Sequence, residues 1–339
     1  PLSPGLRGRV VSEGWQDSVT GETRKGSSRS WTRRGLSPLA ALVRRHDRDR
    51  YQTALFAPAD RREALFALYA FNYEIARVRE TVSQPMLGQI RLQWWREAID
   101  AAFAGGAVRQ HEVAVPLAVA IREFPLSREP FDRMIDTREF DLADEPPATL
   151  AALEEYAEGT SATVVRLAVQ ILTADRVLDR RHPLGNAPTL PSPASGGGPG
   201  RGWEAARTAA VEIGIGYALA GLVRAMPFHA RAGRSYIPAE VGERHRLDPA
   251  DYAGLRDSAA LRAATAEIAE AAASHLRAAR RRRREVPRQM LAALLPAVVA
   301  QHHLVRLRRA DYNPFASELA IPDPLQGWRL FAAALSGRF

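Results

Sequence analysis

The chain has 339 residues, 46% of them hydrophobic, and a formal net charge of +9 at pH 7. Because it contains no cysteine, a disulfide framework and a thiolate metal site are both excluded. The positive charge is compatible with nucleic acid, anionic lipid or a diphosphate substrate, but no nucleic-acid recognition motif accompanies it, so we expect no nucleic-acid partner.

The first predicted element is an extension. Residues 1–36 are rich in Gly, Ser and Arg and lack apolar periodicity, which predicts a disordered basic segment. An upstream extension from a mis-called start codon and a transit peptide are the alternatives. Glu13, Asp17 and Glu22 count against the transit peptide. From 37 to 320 apolar residues recur at helical spacing without any alternating strand pattern, so the predicted fold class is all-α. Residues 321–339 are predicted to be a C-terminal tail.

The predicted helices follow in chain order. Pro58 and Asp60 are typical of a helix start, and this helix is predicted to continue to Glu80. A second helix begins near Met86 and is closed by a Gly-Gly pair. Further helices are predicted at 113–123, 128–141, 149–175, 203–226, 258–285 and 288–309. No run approaches the roughly 18 apolar residues that span a bilayer, and no signal-peptide core is found. We therefore expect a cytoplasmic protein that is at most attached to a membrane surface.

Two segments interrupt the helical pattern. Residues 180–204 are dense in Pro, Gly and Ser, and we predict a disordered insertion at about 182–202; a linker between two domains is the alternative. The run RAARRRRREVP at 277–287 is the strongest charge cluster. A solvated helix end is favoured for it, because cations near a helix C-terminus are stabilised. Contact with anionic lipid is the alternative.

Four segments carry a family resemblance. They are PADRREALFALYAF at 58–71, FDRMIDTREFDL at 131–142, YAEGTSATVVRLAV at 156–169 and LVRAMPFHARAGRSYIP at 222–238. Over about residues 45–310 they resemble, in order, the squalene/phytoene synthase family. The resemblance implies an isoprenoid-synthase-type helical bundle with a central cavity. It also implies head-to-head condensation of two prenyl diphosphates, which Mg²⁺ ions hold through carboxylates on facing helices.

The first carboxylate motif departs from the family pattern. Ala76, Arg77 and Glu80 stand where the family has three aspartates. Glu74 lies six positions before Glu80, on a different face of a helix, so the two cannot share a metal. Because Arg77 is three residues from each, ion pairs along Glu74, Arg77 and Glu80 are the predicted arrangement.

The second motif departs further. Ala225, Phe228 and His229 stand where the family has Asp, Glu and Asp, and Pro227 is expected to disturb the helix. The two motifs together predict no metal site and no confident catalytic residue. Magnesium is expected as a cofactor only if the chain is catalytic.

Five residues are candidates for a substrate or lipid pocket, because the family motifs around them are retained: Tyr69, Arg77, Arg224, Arg234 and Tyr236. Arginine suits bidentate contacts with phosphate, and ion pairs with facing acids are the alternative. We expect these residues at the mouth of a cavity between the two motif helices.

Several other residues are compatible with more than one role. Trp94 and Trp95 are predicted to belong to the core rather than to a stacking surface. The paired histidines His302 and His303 are not predicted to bind metal. Three acids of the second segment are predicted to be solvated: Asp136, Glu139 and Asp141.

The stretch 64–100 resembles a subgroup of the family that includes a mitochondrial assembly factor for respiratory complex I and is regarded as non-catalytic. The resemblance implies an assembly role, with complex I subunits or assembly intermediates as partners. An active prenyl transferase is one alternative. A metal-free protein that binds an isoprenoid or anionic lipid is another. The absent carboxylates count against the transferase, whereas the other two functions are compatible with each other.

Overall fold

A computed structural model describes residues 36–143, 145–173 and 200–339. These residues form helices and no strand, which confirms the predicted all-α class. The helices are α1 Pro38–His46, α2 Arg48–Ala54, α3 Ala59–Ala76, α4 Pro85–Phe103, α5 Ala114–Glu123, α6 Glu129–Thr137, α7 Leu150–Ala157, α8 Thr163–Thr173, α9 Gly200–Arg231, α10 Ala239–Arg244, α11 Pro249–Ala253, α12 Ala259–Arg281, α13 Leu291–Leu294, α14 Pro296–Arg309, α15 Ser317–Ala320 and α16 Gln326–Ser336.

The predicted extension and most of the predicted insertion lie outside the described residues. Of the extension only Leu36 is described, and of the insertion only 200–202, which already belong to α9. The helices on either side of the insertion, α8 and α9, pack against each other. The segment predicted as a tail at 321–339 contains α16.

Helix α9 lies at the centre of the packing and contacts α7, α8, α12 and α14. Gly214 has no side chain, and this allows α9 to approach the backbone of Ala162 closely. A Cβ atom at position 214 would lie 2.2 Å from the Cα atom of Ala162. Within the described residues this helix is long and apolar enough to cross a membrane, although no uninterrupted apolar run of that length is present. However, 61% of its most apolar 18-residue window is buried inside the protein. This burial identifies α9 as a core helix.

Helix α3 packs against α1, α5 and α8. Five residues that recur at helical spacing along one face of α3 are all buried: Leu65, Leu68, Tyr69, Asn72 and Ile75. The helix ends at Ala76, however, so its predicted continuation to residue 80 is wrong. A 3₁₀ turn follows at Arg79–Thr81, and this tighter winding places Val78, 4% exposed, in the core.

Candidate functional site

The first motif lies where α3 ends. Ala76 is the last residue of the helix, and Arg77 caps it. The Arg77 guanidinium pairs with Glu74 at 3.5 Å and lies over the ring of Tyr73, 5.3 Å from its centroid. Tyr73 in turn stacks on His46 at 4.3 Å. The predicted ion pair between Glu74 and Arg77 is therefore present, whereas Glu80 lies beyond the helix in the 3₁₀ turn.

The second motif lies on α9, which continues through Pro227 to Arg231. The expectation that Pro227 disturbs this helix is wrong. A mid-helix proline costs about 3 kcal/mol, but burial of an apolar side chain contributes about 1.5–3 kcal/mol. The side chains around the proline, Val223, Met226 and Ala230, are all buried. Tertiary packing therefore outweighs the local penalty.

His229 occupies one of the second motif's ligand positions. Its ring packs against Tyr236 with centroids 4.7 Å apart, and Nδ1 is buried without a hydrogen-bond partner among the described residues. Burial, helped by the nearby charge of Arg234, lowers the pKa of His229 to about 4. This imidazole is therefore neutral at physiological pH. Phe228, the neighbouring motif position, is 53% exposed.

An arginine occupies the interior between the two motif helices. Arg50 is 7% exposed, and its guanidinium lies over the rings of Tyr69 and Tyr217, at 5.9 and 5.0 Å from their centroids. It pairs with Asp47 at 2.8 Å and donates a hydrogen bond to Ser161 Oγ at 3.3 Å. A charged side chain, rather than a void, therefore separates Tyr69 on α3 from Tyr217 on α9.

Ser161 reaches Arg50 from a π-helical turn at Glu158–Ala162, in the segment that resembles the family's third motif. A π turn adds one residue to a helical turn and often occurs at functional sites. The added residue fits because Gly159 has no side chain: a Cβ atom there would lie 2.1 Å from Thr137 Oγ1.

A second ion pair, between the buried Asp49 of α2 and the half-exposed Arg224 of α9, also receives a hydrogen bond from α16. Asp49 accepts hydrogen bonds from Arg224 at 2.8 Å, from Gln326 at 2.8 Å and from Tyr217 at 3.4 Å. Burial acts to raise the pKa of Asp49, but Arg224 and the three hydrogen bonds outweigh it and hold that pKa below its ordinary value. Arg224 is thus both a predicted pocket residue and the partner of a facing acid.

A cavity adjoins this ion pair. It measures about 640 Å³, and its walls include Phe228 and four arginines of α2, α9 and α14: Arg48, Arg224, Arg231 and Arg306. Its two carboxylates are paired, Asp49 with Arg224 and Asp323 with Arg329 at 3.0 Å. His303 also lines it, and burial lowers the pKa of this histidine to about 3. The cavity therefore has a net positive charge.

Arg234 lines a different cavity of about 510 Å³, beside α10 and α11. Tyr236 lies in a buried network in which Asp141 Oδ1 accepts hydrogen bonds from Tyr156 and Tyr236, each at 2.7 Å, and Arg138 pairs with Oδ2 at 3.0 Å. The predicted solvated role of Asp141 is therefore wrong, because three donors compensate its burial. The structure does not bring the five pocket candidates together around one cavity.

The remaining predictions for this region have mixed outcomes. Asp136 and Glu139 are solvated and pair with Arg96 at 2.6 and 2.7 Å, as expected for surface acids. Trp95 is 4% exposed and packs edge-on against Phe71 in the core, whereas Trp94 lines a shallow surface pocket. Among the described residues, none of these acids and histidines forms a group of three that could hold a metal.

The residues present do not fit the Mg²⁺ ions that the fold family implies. Magnesium binds through carboxylate oxygens and keeps several waters. The second motif offers an alanine, an exposed phenylalanine and a neutral histidine, and the first offers one acid, Glu80, outside the helix. Two carboxylates beside the motif helices, Asp47 and Asp49, are already used in ion pairs with Arg50 and Arg224.

Comparison with known proteins decides the family. The model of the squalene/phytoene synthase family matches residues 43–330, most of the chain. The chain belongs to this family. Solved structures have a similar fold. The crystal structure of squalene synthase HpnC from Alicyclobacillus acidocaldarius matches with a TM-score of 0.65 and 21% sequence identity, and the match covers 81% of this chain and 94% of that one. A dehydrosqualene synthase has a TM-score of 0.70 at 16% identity, covering 88% and 94%.

The similar proteins within the family include both assembly factors and synthases. NADH dehydrogenase (ubiquinone) complex I, assembly factor 6 from Bos taurus is 27% identical over 295 residues, 85% of this chain and 80% of that protein. Presqualene diphosphate synthase from Rhodopseudomonas palustris is 23% identical over 273 residues, 80% of this chain and 86% of that protein. The chain is thus similar to an assembly factor and to a synthase of the same family.

Sequence reasoning missed the residues that fill the interior of this family member. Asp47, Asp49 and Arg50 lie in HDRDRY at 46–51, which precedes the first recognised motif. The available sequence signal for this buried cluster was the alternation of acidic and basic residues just before the apolar helix α3. Their burial depends on Gln326, which is distant in sequence, and on the π turn.

Proposed function

We propose that this chain is a non-catalytic member of the squalene/phytoene synthase family that acts in the assembly of respiratory complex I. The observation that carries the proposal is the pair of motif helices without metal ligands, between which Arg50 is buried. Two prenyl diphosphates would place several negative charges side by side, and without metal ions their repulsion would remain largely uncompensated.

The similarity to complex I assembly factors supports the same conclusion. Assembly factor 6 from Bos taurus and from Homo sapiens match 85% of the chain, at 27% and 26% identity. The partners we propose are complex I subunits or assembly intermediates. Because complex I is a membrane protein, we also propose that the chain acts at the membrane that holds it, as a peripheral protein.

A second candidate function is metal-free binding of an amphiphile with an anionic head group. The observation that favours it is the cavity of about 640 Å³ lined by Arg48, Arg224, Arg231 and Arg306. Guanidinium groups bind phosphate and carboxylate groups in bidentate geometry. Such binding requires no magnesium, so a chelator should leave it unchanged, in contrast to a metal-dependent synthase.

Deletion of the gene tests the proposed function. We expect fully assembled complex I and its NADH:ubiquinone oxidoreductase activity to fall, while squalene, carotenoid and hopanoid levels stay unchanged. Re-expression of the chain should restore the complex. The opposite pattern, normal complex I with lost isoprenoid products, would show that the chain is a transferase.

A matched pair of variants shows whether the cavity contributes to assembly. Arg306 lines the cavity and, within the described residues, donates to the backbone carbonyls of Glu318 and Ile321. Arg308 lies outside the cavity on the same helix. If an anionic amphiphile in the cavity supports assembly, Arg306→Gln should restore complex I less well than Arg308→Gln. If both variants restore complex I equally well, the cavity does not contribute to assembly.

A further inference from the structure

Helix α16 presents an apolar face to solvent. Its exposed side chains are Leu325, which precedes the helix, and Trp328, Phe331 and Leu335, with exposures of 52%, 71%, 47% and 64%. At about 100° per residue these four fall on one side of the helix, within roughly 120°. Large apolar side chains scattered singly need no explanation, but a contiguous row marks an interaction site.

The opposite side of α16 holds the helix on the bundle. Leu330 is fully buried and packs with Leu295 and Val299 of the α13–α14 region. Gln326 adds a hydrogen bond to Asp49 at 2.8 Å. Helix α16 therefore packs on the bundle through the side that carries Leu330 and Gln326, and its apolar face is a separate, exposed side.

A basic groove runs beside this apolar face. It has a volume of about 580 Å³ between α12, α14 and α16, and Ala332 and Ser336 of α16 form part of its wall. Among the described residues five arginines and no Asp or Glu side chain line it: Arg280, Arg283, Arg309, Arg329 and Arg338. Two of these, Arg280 and Arg283, belong to the arginine run at 277–287.

Most of this charge is not neutralised within the described part of the chain. Arg329 pairs with Asp323, and Arg280 donates to Gln301 and to the backbone oxygen of Phe339. Arg283, Arg309 and Arg338 form no ion pair with the described residues. Burial and the adjacent charge of Arg283 lower the pKa of Arg280, which indicates crowded like charges. An anion in the groove would relieve that repulsion.

We propose that α16 and the adjacent groove form a membrane-docking surface for a bilayer that contains anionic phospholipid. The apolar row, defined as Leu325, Trp328, Phe331 and Leu335, enters the boundary between head groups and acyl chains. The arginines of the groove bind lipid phosphates at the same depth. An apolar face with an aromatic residue beside cationic side chains is the pattern of interfacial helices. The arginines of the described groove wall, which has no Asp or Glu side chain, provide the charge complementarity.

This surface extends the proposed peripheral position but does not depend on the assembly role, since vesicles without any respiratory protein test it. Flotation of the purified chain with mixed phosphatidylcholine and phosphatidylglycerol vesicles should show binding, and pure phosphatidylcholine should bind much less. High salt should reduce the difference, because it screens the head-group charge. Binding should also shift the Trp328 fluorescence to the blue, a shift that Trp328→Phe removes.

Variants of exposed residues separate the two halves of the surface. The triple variant Trp328→Ser/Phe331→Ser/Leu335→Ser should bind anionic vesicles at least about a hundredfold more weakly, since three apolar side chains no longer leave water. Arg283→Gln/Arg338→Gln should weaken binding about fivefold per arginine. Circular dichroism melts of both variants should match the wild type.

A second exposed apolar patch supplies the control. Met86, Leu87 and Ile90 of α4 have exposures of 68%, 45% and 59%, close to those of the α16 row. Met86→Ser/Leu87→Ser/Ile90→Ser should bind anionic vesicles as the wild type does. The proposal is overturned if the chain binds no vesicles, which would leave a protein partner for this face. It is equally overturned if the α16 triple variant binds as well as the wild type, or if the α4 control loses as much binding.

Discussion

Replacement of Arg50 by methionine tests whether a charged side chain holds the interior together. The variant keeps a long apolar side chain but loses the ion pair with Asp47, the hydrogen bond to Ser161 Oγ and the contacts with two tyrosine rings. Breaking a buried ion pair costs about 3–5 kcal/mol, because the remaining charge is uncompensated. Asp47 still accepts the backbone N–H of residue 50 at 3.1 Å. We therefore expect a loss near the lower limit, about 3 kcal/mol.

Urea unfolding followed by circular dichroism measures this loss. Arg128→Met is the matched control, because Arg128 also pairs with two acids but at the surface, and we expect no measurable change of its midpoint. Asp47→Asn should lower the free energy of unfolding less in the Arg50→Met variant than in the wild type, because it removes the carboxylate that Arg50→Met leaves unpaired. A loss below about 1 kcal/mol for Arg50→Met would refute the reasoning.

Two further predictions concern packing and pH. Gly214→Ala should lose about 2–3 kcal/mol in urea unfolding, because its Cβ would meet the backbone of Ala162; Gly221→Ala on the same helix has open space and should be neutral or slightly stabilising. His229 and His303 have pKa values lowered to about 4 and about 3, so the unfolded chain binds their protons first and stability should fall as pH drops below 6.5. We expect a loss of about 1.6 kcal/mol per histidine between pH 6.5 and 5. His303→Gln should roughly halve the slope of stability against pH, and an unchanged slope would contradict this reasoning.

The helices could be predicted because apolar periodicity reports which side of a segment is buried. Leu65, Leu68 and Ile75 followed that rule, and so did the all-α class. Local signals failed where tertiary packing decides. Pro227 does not end α9, since the surrounding side chains are buried, and α3 stops at Ala76, since a tighter turn buries Val78.

The candidate site was less predictable than the fold. The absent carboxylates at the motif positions are visible in the sequence, because the family pattern states which residues belong there. The ion pairs of Asp49 and Arg50 were not, because periodicity treats charged side chains as solvated. Asp49 is buried only through partners that are distant in sequence, Arg224 and Gln326. The resemblance located Arg224 but not its acid.

The most direct test of the central claim is a turnover assay of the purified chain with labelled farnesyl or geranylgeranyl diphosphate and Mg²⁺. Presqualene diphosphate synthase from Rhodopseudomonas palustris, a relative from the same family, serves as the active control. We predict no presqualene diphosphate, squalene-type or phytoene-type product above a heat-treated sample, because Ala76, Ala225 and Phe228 cannot bind magnesium. Mg²⁺-dependent product well above that background would contradict the proposal that this chain is non-catalytic.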